Sequence, residues 1–96
     1  MRRVFITGGG HGIGRAIVEA FTAHGDKVAF CDIDTSRGND VAAATGAEFF
    51  ALDVCDKEAL EGAMQTLFDR WEDIDIIVNN VGIGGLVFFG VDDAVA

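Results

Sequence analysis

The sequence contains no proline and no tyrosine, only two cysteines, and seven basic residues against sixteen acidic ones. The resulting formal net charge of −9 argues against nucleic acid or an anionic membrane as a partner, because either requires a basic surface. No run approaches the ~18 apolar residues that a membrane span needs. Cys31 and Cys55 make neither a disulfide framework nor a metal-ligand spacing. Two reduced, partly buried thiols are expected, although each falls near the end of a strand and those strands can be neighbours. Met1-Arg2-Arg3 leads straight into an apolar run, which leaves no room for a secretory signal, so a cytoplasmic location is expected. No linker, internal repeat or low-complexity segment interrupts the chain.

What is present reads as one small globular domain over residues 1–96, half apolar and 24% charged. A chain of this size buries roughly 60–65% of its unfolded surface. Apolar runs at 2–7, Lys27–Cys31, Ala47–Leu52 and Ile74–Val78 predict four strands. Helical spacing of Ile13, Ile17, Ala20 and Phe21 predicts a helix over 13–24, stopped by Gly25. A second helix, capped by Thr35 or Ser36 and closed by Gly46, tolerates Gly38 inside it at a cost of ~1 kcal/mol; Asp34 reads as a turn or cap residue. Asp56 caps a third, whose Leu60, Met64, Leu67, Phe68 and Trp71 are core. Asp73 and Asp75 read as solvated charges at the start of strand four. Beyond Gly82 the pattern is apolar but aperiodic, and 91–96 looks like the first turn of a helix. The alternation predicts an α/β fold: a Rossmann-type doubly wound parallel sheet of about four strands, order 3-2-1-4, with three helices.

Between the first strand and helix lies Thr7-Gly8-Gly9-Gly10-His11-Gly12-Ile13-Gly14. A strand, a glycine loop and a helix N-terminus present backbone N–H groups to a phosphate. Side chains at Gly8, Gly12 or Gly14 would block the turn or the ligand's approach to the backbone. Asp32 ends strand two, eighteen residues beyond Gly14, where a carboxylate accepts from ribose hydroxyls and repels a 2′-phosphate. Asp53-Val54 closes strand three beside the same pocket, as an adenine-edge reader or as a turn. Asn79-Asn80 ends strand four, where its amides suit the sheet backbone and a ribose, or simply a turn. His11 can approach a phosphate or stand as an exposed loop residue; His24 sits at a helix C-terminus.

With these elements in order, the chain resembles the short-chain dehydrogenase/reductase family over residues 2 to about 85. The carriers are the Thr-Gly-x-x-x-Gly-x-Gly spacing at Gly8, Gly12 and Gly14, the acidic position Asp32, the Asp53-Val54 pair, and Asn79-Asn80-Val81-Gly82, which has valine for the family's alanine. The resemblance implies NAD, preferred over NADP because of Asp32, and hydride transfer between nicotinamide and an alcohol or carbonyl. Its candidate cofactor-binding set is Gly8, Gly10, His11, Gly12, Ile13, Gly14, Asp32, Ile33, Asp53, Val54, Asn80, Val81 and Gly82. It carries over no catalytic residue. The family uses a serine with Tyr-x-x-x-Lys, whereas this chain has no tyrosine and its only lysines, Lys27 and Lys57, begin strand two and helix three.

The expectation is therefore the cofactor-binding half of such an enzyme, inactive by itself. A stand-alone NAD-binding module and a scaffold with a vestigial loop are the alternatives. An open edge at strand four and a bare apolar sheet face favour association. The chain is expected to form a homo-oligomer or to join its missing half, and a clean monomer mass by size exclusion with light scattering would contradict that.

Overall fold

Val4, Phe5 and Ile6 are fully buried in the computed structural model, which describes residues 1–81. They form the centre of β1 (Arg3–Thr7), which lies between β2 (Lys27–Asp32) and β4 (Ile76–Asn79); β3 (Glu48–Ala51) flanks β2. All pairings are parallel and the order is β3-β2-β1-β4. The predicted order is the observed one. The continuous apolar runs arise because both sheet faces are covered. Val4, Ile6, Val28 and Phe30 pack on one face with Val18 of α1 (Gly12–His24) and Val41 of α2 (Thr35–Thr45). Phe5, Ala29 and Cys31 pack on the other with Leu60, Met64, Leu67 and Trp71 of α3 (Lys57–Trp71). Register brings Thr7, Asp32, Ala51 and Asn79 to one edge of the sheet, the carboxyl ends of its strands. No helix among the described residues is long and apolar enough to cross a membrane.

Local chemistry accounts for the ends of the helices. Gly25 and Gly46 terminate α1 and α2 in the left-handed region, and the Asp56 carboxylate accepts from Ala59 N–H at the start of α3. The cap of α2 is Asp34 rather than Thr35 or Ser36. Its backbone is still extended and its carboxylate accepts from Arg37 N–H, while Thr35 is already helical. Gly38 is a packing requirement: a Cβ there would lie 2.2 Å from the Phe49 ring, which stacks on Phe30. Strand four begins two residues later than expected. Ile74 is buried in the α3 cluster, and the preceding Asp73 carboxylate accepts from its N–H.

Asp75 is not a free solvated charge. It accepts from the backbone N–H and the guanidinium of Arg3 at 2.7–3.0 Å, joining β4 to β1. Arg2 closes on Asp26 in the same way, joining β1 to β2, and His24 Nδ1 lies 3.1 Å from that carboxylate. The Arg2 guanidinium holds the Asp26 carboxyl at about 2, and the Arg3 guanidinium does the same for Asp75. An unfolded carboxylate takes up its proton near 3.8. Acid therefore protonates the unfolded chain first, and the stability these pairs add above about pH 4 is lost as pH falls towards 2. Urea midpoints should drop steeply across that window, and Arg2→Ala with Arg3→Ala should flatten the drop. An equally steep fall in the double variant would assign the acid sensitivity elsewhere.

Candidate functional site

The loop from β1 to α1 folds back on β2. The Cys31 carbonyl accepts from both Gly8 N–H, at 2.8 Å, and Gly9 N–H, at 3.1 Å. The Asp32 carboxylate accepts from Gly10 N–H at 2.8 Å. Three of the loop amides are thus used internally, which divides the sequence-based expectation in two. The donors left are those at the start of α1. His11 is the N-cap residue, with no side-chain capping bond, so the N–H groups of Gly12, Ile13 and Gly14 have no capping side chain among the described residues. A Cβ added to Gly12, whose φ is +58°, would meet nothing within 4 Å.

Gly14 is required by the turn, one of the two reasons expected. A Cβ on it would stand 1.8 Å from the Gly8 carbonyl oxygen and 2.7 Å from Asn80 Nδ2. It lets the start of α1 approach the Gly8 carbonyl at the end of β1. Gly8, at φ +69°, faces Val81.

Thr7, fully buried, organises the end of β4. Its hydroxyl oxygen accepts from Asn80 N–H at 3.0 Å and Val81 N–H at 3.3 Å, and the hydroxyl donates to Asn79 Oδ1 at 3.2 Å. Asn80 Nδ2 donates to the Gly8 carbonyl at 3.3 Å. The asparagine pair therefore braces the glycine loop through the sheet backbone. The signal available for Thr7 was its hydroxyl at the junction of strand and loop.

Asp32 is 5% exposed. Besides Gly10 N–H it accepts from Asp34 N–H at 2.9 Å, which leaves further lone pairs on both oxygens. His11 Nδ1 lies 3.5 Å away. Asp53 takes the turn role, accepting from Cys55 N–H at 2.9 Å, and also borders the cleft. The two cysteines are free thiols, Cys31 buried and Cys55 exposed. Burial pushes the Cys31 thiol up to about 11, which makes it unreactive.

These residues surround a cleft of about 460 Å³ at the carboxyl edge of the sheet, a size that suits a small organic ligand. Its wall contains Gly8, His11, Gly12, Ile13, Asp32, Ile33, Asp53, Val54, Asn80 and Val81, all from the predicted set. Gly10 and Gly14 are not on the wall: the first lies behind Asp32 and the second beneath Gly8. Gly82 lies outside the described residues, as does the helical turn expected over 91–96. Cys31 and Leu52, not anticipated as site residues, complete the lining. Ile13 and Ile33 stand 75% and 71% exposed on it, large apolar side chains left open to solvent.

The family model described as short chain dehydrogenase matches residues 2–94. Sorbitol dehydrogenase of Cereibacter sphaeroides is 40% identical over 84 residues, covering 85% of this chain and 33% of the relative. Galactitol 2-dehydrogenase of Agrobacterium fabrum is 40% identical over 80 residues, covering 81% and 31%. Among solved structures, a 3-ketoacyl-(acyl-carrier-protein) reductase from Brucella melitensis complexed with NADH superposes with a TM-score of 0.79 at 30% identity, over 86% of this chain and 35% of the other. The chain thus spans about a third of the length of the curated relatives it matches. From the strand order, the loop and these matches together, the chain belongs to the short-chain dehydrogenase family.

Proposed function

We propose that the cleft binds a nicotinamide dinucleotide, NAD in preference to NADP, and that these residues are the cofactor-binding part of an oxidoreductase acting on an alcohol or carbonyl. The observation that carries the reading is the uncapped start of α1 standing across one cleft from the buried carboxylate of Asp32. The amides of Gly12 and Ile13, on the cleft wall at the start of α1, suit a pyrophosphate without any lysine. Asp32 retains lone pairs for a ribose diol, and its negative charge disfavours a 2′-phosphate. Ile33, Leu52 and Val54 offer an apolar wall to a base. When bound, the nicotinamide supplies the acceptor or donor of a hydride; the residues here bind and orient it. With no tyrosine in the sequence, the reading assigns this chain binding without turnover.

Calorimetric titration tests the reading. NAD should bind with measurable heat and NADP more weakly. No binding of either at millimolar concentration would remove the dinucleotide and leave a scaffold.

A further inference from the structure

A second hollow, of about 360 Å³, opens at the opposite edge of the sheet, where β2 and β3 begin. Asp26 and Lys27 line it, with Glu48 from β3 and with Arg70 and Trp71 from the end of α3. It shares no residue with the cleft around Asp32. Both carboxylates on its wall are neutralised. Asp26, whose side chain is 2% exposed, pairs with Arg2 at 2.9 Å, and Glu48 accepts from Arg70. Elsewhere Arg3, Arg15, Arg37 and Lys57 pair with Asp75, Glu19, Asp34 and Glu61. Lys27 alone among the lysines and arginines has no carboxylate partner among the described residues. Its ammonium stands 5.6 Å from the centre of the Trp71 ring, a contact that holds it in place without cancelling its charge. In a chain of net charge −9, this hollow therefore carries an uncompensated cation.

We propose that the hollow binds a small organic monocarboxylate. Lys27 supplies the counter-charge. Arg70 has donors beyond the one that serves Glu48, and these can reach the same anion. Val28, Ala47 and Trp71 offer an apolar surface to the rest of the molecule. One negative charge matches the one free cation, whereas a second would meet the carboxylates of Asp26 and Glu48 with nothing left to balance it. The ends of α1 and α2 border the hollow, and their partial negative charge opposes an anion. The Gly25 and Gly46 N–H groups close those ends onto their own carbonyls, which lessens the opposition.

Trp71 is the only tryptophan in the sequence, so its fluorescence reports on this hollow. Butyrate, titrated at constant ionic strength against chloride, should change that emission along a saturating curve with a millimolar dissociation constant. It should also shift the backbone amide resonances of Ala47 and Glu48. Butyramide, of the same shape without the charge, and inorganic phosphate should each bind more weakly. Lys27 is exposed, so its replacement leaves the core intact. Lys27→Gln should weaken butyrate about fivefold, the scale of an exposed ion pair, and Lys27→Arg should retain the affinity. A response that never saturates, butyramide binding as well as butyrate, or amide shifts with the same affinity in Lys27→Gln would overturn the site. Phosphate binding as tightly as butyrate would overturn the monocarboxylate as its ligand.

Discussion

Gly14→Ala is expected to unfold the junction of β1 and α1, lowering the thermal midpoint by about 10 °C or more. The added Cβ would sit 1.8 Å from the Gly8 carbonyl oxygen. That atom is backbone and cannot rotate aside, so α1 must move off the sheet. Moving it loosens Val18 in the core and the packing of Ile17 and Phe21 against the same cluster. Overpacking of this kind costs ~1–3 kcal/mol or more, which exceeds the ~1 kcal/mol that alanine contributes over glycine in a helix. For a small domain holding roughly 5 kcal/mol in total, that is a large share. Far-ultraviolet circular dichroism against temperature reads the effect. Gly12→Ala supplies the contrast: its Cβ meets open space, but φ is +58°, so a smaller loss of roughly 1 kcal/mol is expected from the left-handed backbone. A Gly14→Ala chain that melts normally yet fails to bind NAD would restore the view that this glycine clears a path for the ligand.

Asp32 separates two roles that one substitution would confuse. Asp32→Ala removes the acceptor for Gly10 N–H and for Asp34 N–H together. Leaving such groups unpaired costs ~1–3 kcal/mol each where they are buried, and the loop loses its tie to β2. Both dinucleotides should then bind poorly, in contrast with a loss confined to NAD. Asp32→Asn keeps one acceptor oxygen and the side-chain shape while removing the charge. It should hold its melting temperature better than the alanine variant while the NAD preference falls about tenfold, the equivalent of ~1.4 kcal/mol. Titrations with both dinucleotides, alongside the melts, decide it. An asparagine variant with the same NADP-to-NAD ratio of dissociation constants as the unaltered chain would take the proposed selectivity away from this carboxylate.

The features legible in the sequence were those whose cause is local. Gly25, Gly46 and Asp56 end or begin helices through chemistry within a few residues, and the alternation of runs was enough to order the strands. What escaped depends on distant neighbours. Gly38 looks like a blemish in a helix until Phe49 lies under it. Asp75 looks solvated until Arg3, on another strand, closes on it. The site followed the same division. Asp32 and the glycine loop stand out by spacing, whereas the Cys31 carbonyl that shapes that loop carries no mark in its side chain. Asp34 outcompeted Thr35 as a cap because the turn leaving β2 holds it extended for one residue longer.

The bonds from Gly8, Gly9 and Gly10 to β2 also bear on how a ligand would be received. A floppy glycine tract would have to be frozen at each encounter, at a penalty in conformational entropy that grows with every residue ordered. Here the strand neighbour has already frozen it. The incoming molecule meets a mould that has set, so its contact energy goes into holding the molecule and little is diverted into shaping the protein.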